Sequence, residues 1–146
     1  MLNLFTILLS FAAMELVAWL SHKFVMHGFL WHFHHDHHEP DAHSFFQKND
    51  LFFLIFAIPS CLCIVFESLA GFDLRFYIGM GILFYGIAYF LVHDVIIHRR
   101  FKWFNESGNA YVKAIRAAHW DHHKNAGRYG NKNFGMLLVS LKYFKA

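Results

Sequence analysis

Residues 2–28 read LNLFTILLSFAAMELVAWLSHKFVMHG, and the fate of this stretch decides the fold. Leu2–Leu20 is long and apolar enough to cross a hydrocarbon core about 30 Å thick as a helix. A cleaved leader would carry Lys or Arg ahead of the apolar run and a small-residue cleavage pattern behind it. Neither is present. The run passes straight into SHKFVMHG, where His22 and His27 stand with four residues between them. A retained membrane helix ending in a histidine pair is therefore expected.

Two further apolar runs lie downstream. Leu51 to Leu69 contains Pro59, which membrane helices tolerate, and Phe76 to Val92 follows after GFDLR, a tight turn between antiparallel spans. FGMLLVSLKYF at 134–144 is too short to span and reads as a short fourth helix, at the interface or packed on the others. Of 146 residues 57% are hydrophobic and 16% charged, against about a quarter charged in soluble domains. No linker-like stretch divides the chain, so one domain covering residues 1–146 is expected. Cys61 and Cys63 sit two apart in an apolar run, where a disulfide would be strained; they read as buried apolar side chains. The fold class is thus all-α: a membrane bundle of three spans with a histidine-rich helical cap.

Three spans put residues 22–50 and 93–146 on one side. All 13 histidines fall in those two segments, as do all the Lys and Arg residues except Arg75. The positive-inside rule makes that side cytoplasmic.

The histidines follow a repeated spacing. His22 and His27 precede His34, His37 and His38; His93 and His98 precede His119, His122 and His123. H-x4-H followed by H-x2-H-H thus occurs twice, each copy starting where a span ends. On an α-helix, i, i+3 and i+4 share a face, so each H-x2-H-H trio projects together. Five residues advance about 500°, leaving the rings of each H-x4-H pair about 140° apart. Either the helix is distorted there or the two rings serve different metals; the Gly28 after His27 also suggests that the first helix ends nearby. A lone histidine at a membrane interface is more often a hydrogen-bonded polar residue than a ligand, but two matched sets are poorly explained that way. His32, His35 and His43 fall outside the pattern and read as ordinary polar residues.

About ten neutral imidazoles suit two borderline ions such as Fe, Zn or Cu. Haem would use two histidines on facing spans, a zinc hydrolase fewer ligands with an open position, and a transporter polar groups near mid-membrane, where the apolar runs hold only Glu15 and Glu67. Redox-active iron would activate dioxygen, and a site at the end of an apolar bundle implies a lipid-soluble substrate with an unactivated C–H bond.

The sequence resembles the membrane-bound, non-haem di-iron fatty acid hydroxylase superfamily along almost its whole length. The likeness is carried by MELVAWLSHKFVMHG (14–28), HHDHHEP (34–40), NDL (49–51), YFLVHDVIIHRR (89–100), AHWDHH (118–123) and FG (134–135). HHEP, VHD and the arginine beyond His98 narrow it to the carotenoid branch, the bacterial β-carotene 3-hydroxylases. The extra His35 permits a shifted reading of the second box; the repeat favours His34. The resemblance implies two iron ions, replaceable by zinc in purified samples, with dioxygen as co-substrate. It also implies a carotenoid substrate hydroxylated at carbon 3, a cell inner membrane, and an external electron donor such as ferredoxin, since no donor domain is visible. No nucleic-acid partner is expected. Another lipid, sterol or fatty acyl, is the alternative substrate, and a non-enzymatic metal-binding membrane protein the contrasting role. Ligating histidines usually pass their other N–H to a carboxylate or carbonyl, which makes Glu15, Asp36, Glu39, Asp94 and Asp121 candidate outer partners. Arg99, Arg100 and Lys102 read as an interface anchor, or as a docking patch for an acidic donor.

Overall fold

A computed structural model describes residues 2–41, 43–101, 103, 107–125 and 127–145; Lys102 lies outside them. Among the described residues there are helices and turns and no strand. Helix α1 (Leu2–Leu20) runs on through a wider-wound segment, Ser21–Phe29, into α2 (Trp31–His38). A 3-10 turn, Lys48–Phe52, leads into α3 (Phe53–Ala70), which returns as α4 (Leu74–Phe90). A second wide segment, Leu91–Ile97, extends α4, and α5 (Ala110–His123) completes the helices.

Three continuous helices, Asn3–Phe29, Lys48–Ala70 and Leu74–Ile97, are long and apolar enough to cross a membrane. Leu4, Leu8 and Leu9 of α1 and Ile58, Leu62 and Phe66 of α3 are exposed, as lipid-facing side chains are. The apolar runs alone placed every histidine beyond the spans. The helices in fact run on, so His22, His27 and His93 ride on the ends of the spans themselves. Cys61 is exposed and Cys63 half-buried, both as free thiols rather than the buried pair expected.

The α3–α4 turn closes as the sequence suggests. Gly71 takes φ +123°, the Glu67 carbonyl accepts the Gly71 and Phe72 N–H groups, and the Asp73 side chain caps α4 by accepting from the Arg75 N–H at 2.7 Å. Lipid supplies no hydrophobic drive between helices, so association rests on close contact. Helix α4 achieves it on two faces. A Cβ at Gly79 would meet Cys63 Cβ of α3 at 2.8 Å, and one at Gly81 would meet the Ile7 carbonyl of α1 at 2.6 Å. Between α1 and α4 lies a small core of Met14, Ala18 and Tyr85 flanked by Phe11, Phe56 and Tyr89. At the C-terminus the structure departs from expectation. Residues 134–140 form no helix, and only Leu141–Lys145 makes a 3-10 turn, because residues 136–138 direct their N–H groups at Glu15 instead of along a helix.

Candidate metal centre

The H-x4-H pairs sit in the two wide segments, and these are π-helical. The His98 N–H bonds to the His93 carbonyl at 2.9 Å and the Leu30 N–H to the Val25 carbonyl at 3.0 Å, each five residues back. In such a winding the fifth residue lies one hydrogen-bonded turn along, so the rings of each pair come together: His22 and His27 have centroids 5.2 Å apart, His93 and His98 4.5 Å. Of the two explanations open from spacing, helix distortion is the one observed. Gly28, at φ −94° and ψ −127°, then breaks the helix and turns the chain into α2.

Nine of the ten patterned histidines gather into two groups. His22, His27, His34, His38 and His122 form one, and His37, His93, His98 and His119 the other; within each, the candidate ligand nitrogens all lie within 4.8 Å of one another. His123 belongs to neither. Its ring stands between them, 4.4 Å from His38 and 4.5 Å from His119, and its Nε2 is buried without a hydrogen-bond partner. Each H-x2-H-H trio is therefore shared between the groups and does not serve one site. On α2, i+3 and i+4 fall on opposite sides of i, about 100° from each other, which lets His37 face one group while His34 and His38 face the other. His32, His35 and His43 are exposed.

The outer nitrogens fix the tautomers. His22 Nδ1 donates to the Phe134 carbonyl at 3.1 Å, His27 Nδ1 to Arg128 at 3.1 Å and His122 Nδ1 to Lys132 at 2.7 Å. His34 Nδ1 donates to Asn49 Oδ1 at 2.6 Å, His37 Nδ1 to Gln47 Oε1 at 3.0 Å and His93 Nδ1 to Asp94 Oδ2 at 3.3 Å. These partners only accept, so each Nδ1 carries the proton and each Nε2 presents a lone pair. Those lone pairs face one another: His22 to His34 at 3.1 Å, His27 to His122 at 3.2 Å, His93 to His37 at 3.0 Å. Facing lone pairs without a proton between them call for a cation. An all-imidazole donor set with the outer nitrogens of six rings tied down fits a borderline transition-metal ion, while the outer Nδ1 atoms of His38 and His119 are buried without a partner.

Burial also keeps the rings neutral. Desolvation pushes His34 and His122 down to about 3, His38 to about 2 and His123 to about 4. It holds His37, His98 and His119 well below the usual range, helped by repulsion from neighbouring rings. In an unfolded chain the same rings titrate near 6.5. Below that pH the unfolded state binds protons that the folded state refuses, so stability falls as pH drops below about 6.5. Above 6.5 neither state is charged and the dependence vanishes. Metal-free protein in detergent should accordingly melt at a clearly lower temperature at pH 5 than at pH 7.5; equal melting temperatures would refute the burial argument.

Of the five carboxylates considered as outer partners, Asp94 alone meets a grouped histidine among the described contacts. Asp36 accepts the Lys48 and Asn49 N–H groups and so acts one step further out, placing Asn49 against His34. Glu39 pairs with exposed His35 at 3.5 Å. Asp121 binds the Tyr143 hydroxyl and Lys124. Glu15 takes backbone donors and Tyr85. The histidine spacing does not mark Asn49 and Gln47 as outer partners, although Asn49 opens the NDL stretch; three backbone carbonyls carry no side-chain signal at all. Arg99 is exposed, whereas Arg100 joins Asp50 to Asp94, each at 2.7 Å, and so steadies the carboxylate behind His93.

An apolar cavity of about 650 Å³ reaches the second group. Phe52, Phe56, Ile82, Gly86 and Phe90 line its body, and His93, Asp94, Asn49 and Arg100 also contribute to its wall.

Comparison with known proteins agrees with this geometry. The fatty acid hydroxylase family matches residues 7–144. A β-carotene hydroxylase of Pantoea ananas is 37% identical over 137 residues, covering 94% of this chain and 77% of the relative. One of Pseudescherichia vulneris is 37% identical over 141 residues, covering 95% and 78%. The chloroplastic β-carotene 3-hydroxylase of Haematococcus lacustris is 38% identical over 134 residues, 86% of this chain and 39% of that longer protein. No solved structure matches. With helices that suit a membrane and a family match over nearly its full length, the chain belongs to the fatty acid hydroxylase family, a family of metal-dependent enzymes.

Proposed function

We propose that the protein hydroxylates the β-ionone rings of β-carotene at carbon 3, giving β-cryptoxanthin and then zeaxanthin, with a pair of iron ions held by the ten patterned histidines. The observation that carries the reading is a pair of neighbouring imidazole groups, one of which, at His93, opens to an apolar cavity. When bound there, iron supplies what side chains lack, the activation of dioxygen toward an unactivated C–H bond. One oxygen atom would go to the ring carbon and the other leave as water, with two electrons drawn from a donor such as a ferredoxin and two protons from solvent.

The chain's own residues do the rest. Neutral imidazoles present their lone pairs inward, and Asn49, Gln47, Asp94 and three carbonyls hold them in that tautomer. His123, between the groups, completes the ligand set. The phenylalanine-rich cavity accepts a lipid-dissolved polyene and keeps water away while the ring approaches His93. The names of the relatives support the carotenoid and carbon 3, and the family match over residues 7–144 supports reading the chain as one domain.

Expressed in aerobic cells that accumulate β-carotene, the protein should shift the pigments to β-cryptoxanthin and zeaxanthin, and the shift should stop without oxygen. Unchanged β-carotene beside altered sterols or fatty acids would defeat the assignment, and keto-carotenoids would move the reaction to another carbon. The arginine and lysine distribution supports an inner-membrane protein with its histidines toward the cytoplasm. Reporter fusions at residue 50 and near Asp73 should then report opposite sides, cytoplasmic at 50; a cytoplasmic signal at both would refute that orientation.

A further inference from the structure

Glu15 lies two turns before His22, about 10 Å along α1, and its contacts include no histidine. Its Oε1 accepts the N–H groups of Met136, Leu137 and Leu138 at 2.9, 2.9 and 3.0 Å, and its Oε2 accepts the Tyr85 hydroxyl at 2.8 Å. A carboxylate within a membrane helix is costly and normally marks function. Here four donors converge on one buried side chain, three of them from a segment more than a hundred residues away.

That segment carries the outer partners of the five-histidine group. Arg128, Lys132 and Phe134 give their carbonyls to His27, His122 and His22. No helix or strand organises residues 128–140, so side-chain ties set its path. Arg128 Nε to the His27 carbonyl, Asn131 to the His122 carbonyl and Asn133 to the Ala118 carbonyl hold one part. Glu15 holds the other, immediately after Phe134. Gly135 leaves room alongside: a Cβ there would stand 3.2 Å from Glu15 Oε1 and 3.1 Å from the Leu138 carbonyl, closer than ordinary contact.

We propose that Glu15 is a positioning residue for the five-histidine site, acting through residues 134–138 to keep the Phe134 carbonyl on His22 Nδ1. The role rests on the metal-binding reading above. It is selective, because the outer partners Gln47 and Asp94 of the four-histidine group lie on other elements.

The test is metal content and affinity in purified protein loaded with iron or zinc alone. Wild type should hold about two ions per chain. Glu15→Gln, which keeps the size but loses the charge that gathers three N–H donors, should weaken one site by about 10- to 100-fold, the usual effect of losing an outer partner, and leave the other unchanged. Gly135→Val, which crowds the same contact from the side of residues 134–138, should do likewise. Glu67→Gln, a second carboxylate in the spans paired with Arg75 at the far turn, should leave both sites intact. A wild type without two ions overturns the metal reading and this proposal with it. Two tight sites in Glu15→Gln overturn this proposal alone. Simultaneous loss of both ions, or of the fold, in both Glu15→Gln and Gly135→Val also overturns it, since the role would then be general to the structure.

Discussion

His34→Ala should reduce hydroxylation by at least about 100-fold, beyond the 10- to 100-fold typical of losing an outer partner, while His35→Ala, its neighbour in sequence, should stay within a few-fold of wild type. The two rings differ in everything but type. His34 is buried, its Nδ1 bonded to Asn49 and its Nε2 facing His22 at 3.1 Å. His35 is exposed and pairs with Glu39. Removing His34 deletes a donor and leaves the Nε2 of His22 without its counterpart; removing His35 deletes a surface contact of the kind worth about 0–1 kcal/mol. The same contrast should separate His37, His38, His119 and His122 from His32 and His43. Activity is read from pigments and metal from elemental analysis, because zinc acquired during overexpression would silence a well-formed site without emptying it. A His35→Ala variant as inactive as His34→Ala would show that the second box is read in the wrong frame.

The difference in burial follows a spacing legible in the sequence, which separates the ten patterned histidines from the exposed His32, His35 and His43. The spans were legible too, since apolar length alone marks them. The division of labour was not. Helical periodicity groups His34, His37 and His38 on one face, and only the positions of α1, α4 and α5 around α2 decide that His37 parts from the other two. The H-x4-H spacing posed the right question without answering it, because whether a helix winds as π is decided by its surroundings. The outer partners were hardest. Phe134, Lys132 and Arg128 act through carbonyls that every residue possesses, and Glu15 acts on N–H groups equally anonymous. Such contacts leave a trace only in the residues that make room for them, as Gly135 does beside Glu15.

Gly86→Phe should abolish most conversion of β-carotene while leaving metal content unchanged. Gly86 lies on α4 two turns before His93, about 10 Å along the axis and on the same face, and it lines the 650 Å³ cavity. A Cβ there meets nothing within 4 Å, so a large side chain projects into the cavity and not into a neighbouring helix. Replacing a helical glycine removes a cost of about 1 kcal/mol in its own right, and the fold should not suffer. Gly86→Ala, which adds one methyl group to an open space, should convert β-carotene nearly as well as wild type. The plugged variant touches no histidine and none of their hydrogen-bond partners, so its two metal ions should remain, as should its melting temperature. If β-carotene is reached through this cavity, turnover should fall by on the order of 10- to 100-fold, the loss expected when a reacting group is displaced from its near-attack position. Wild-type conversion by Gly86→Phe at normal metal content would show that the ring reaches the histidine groups by another path, with the cavity left as a gap filled by lipid.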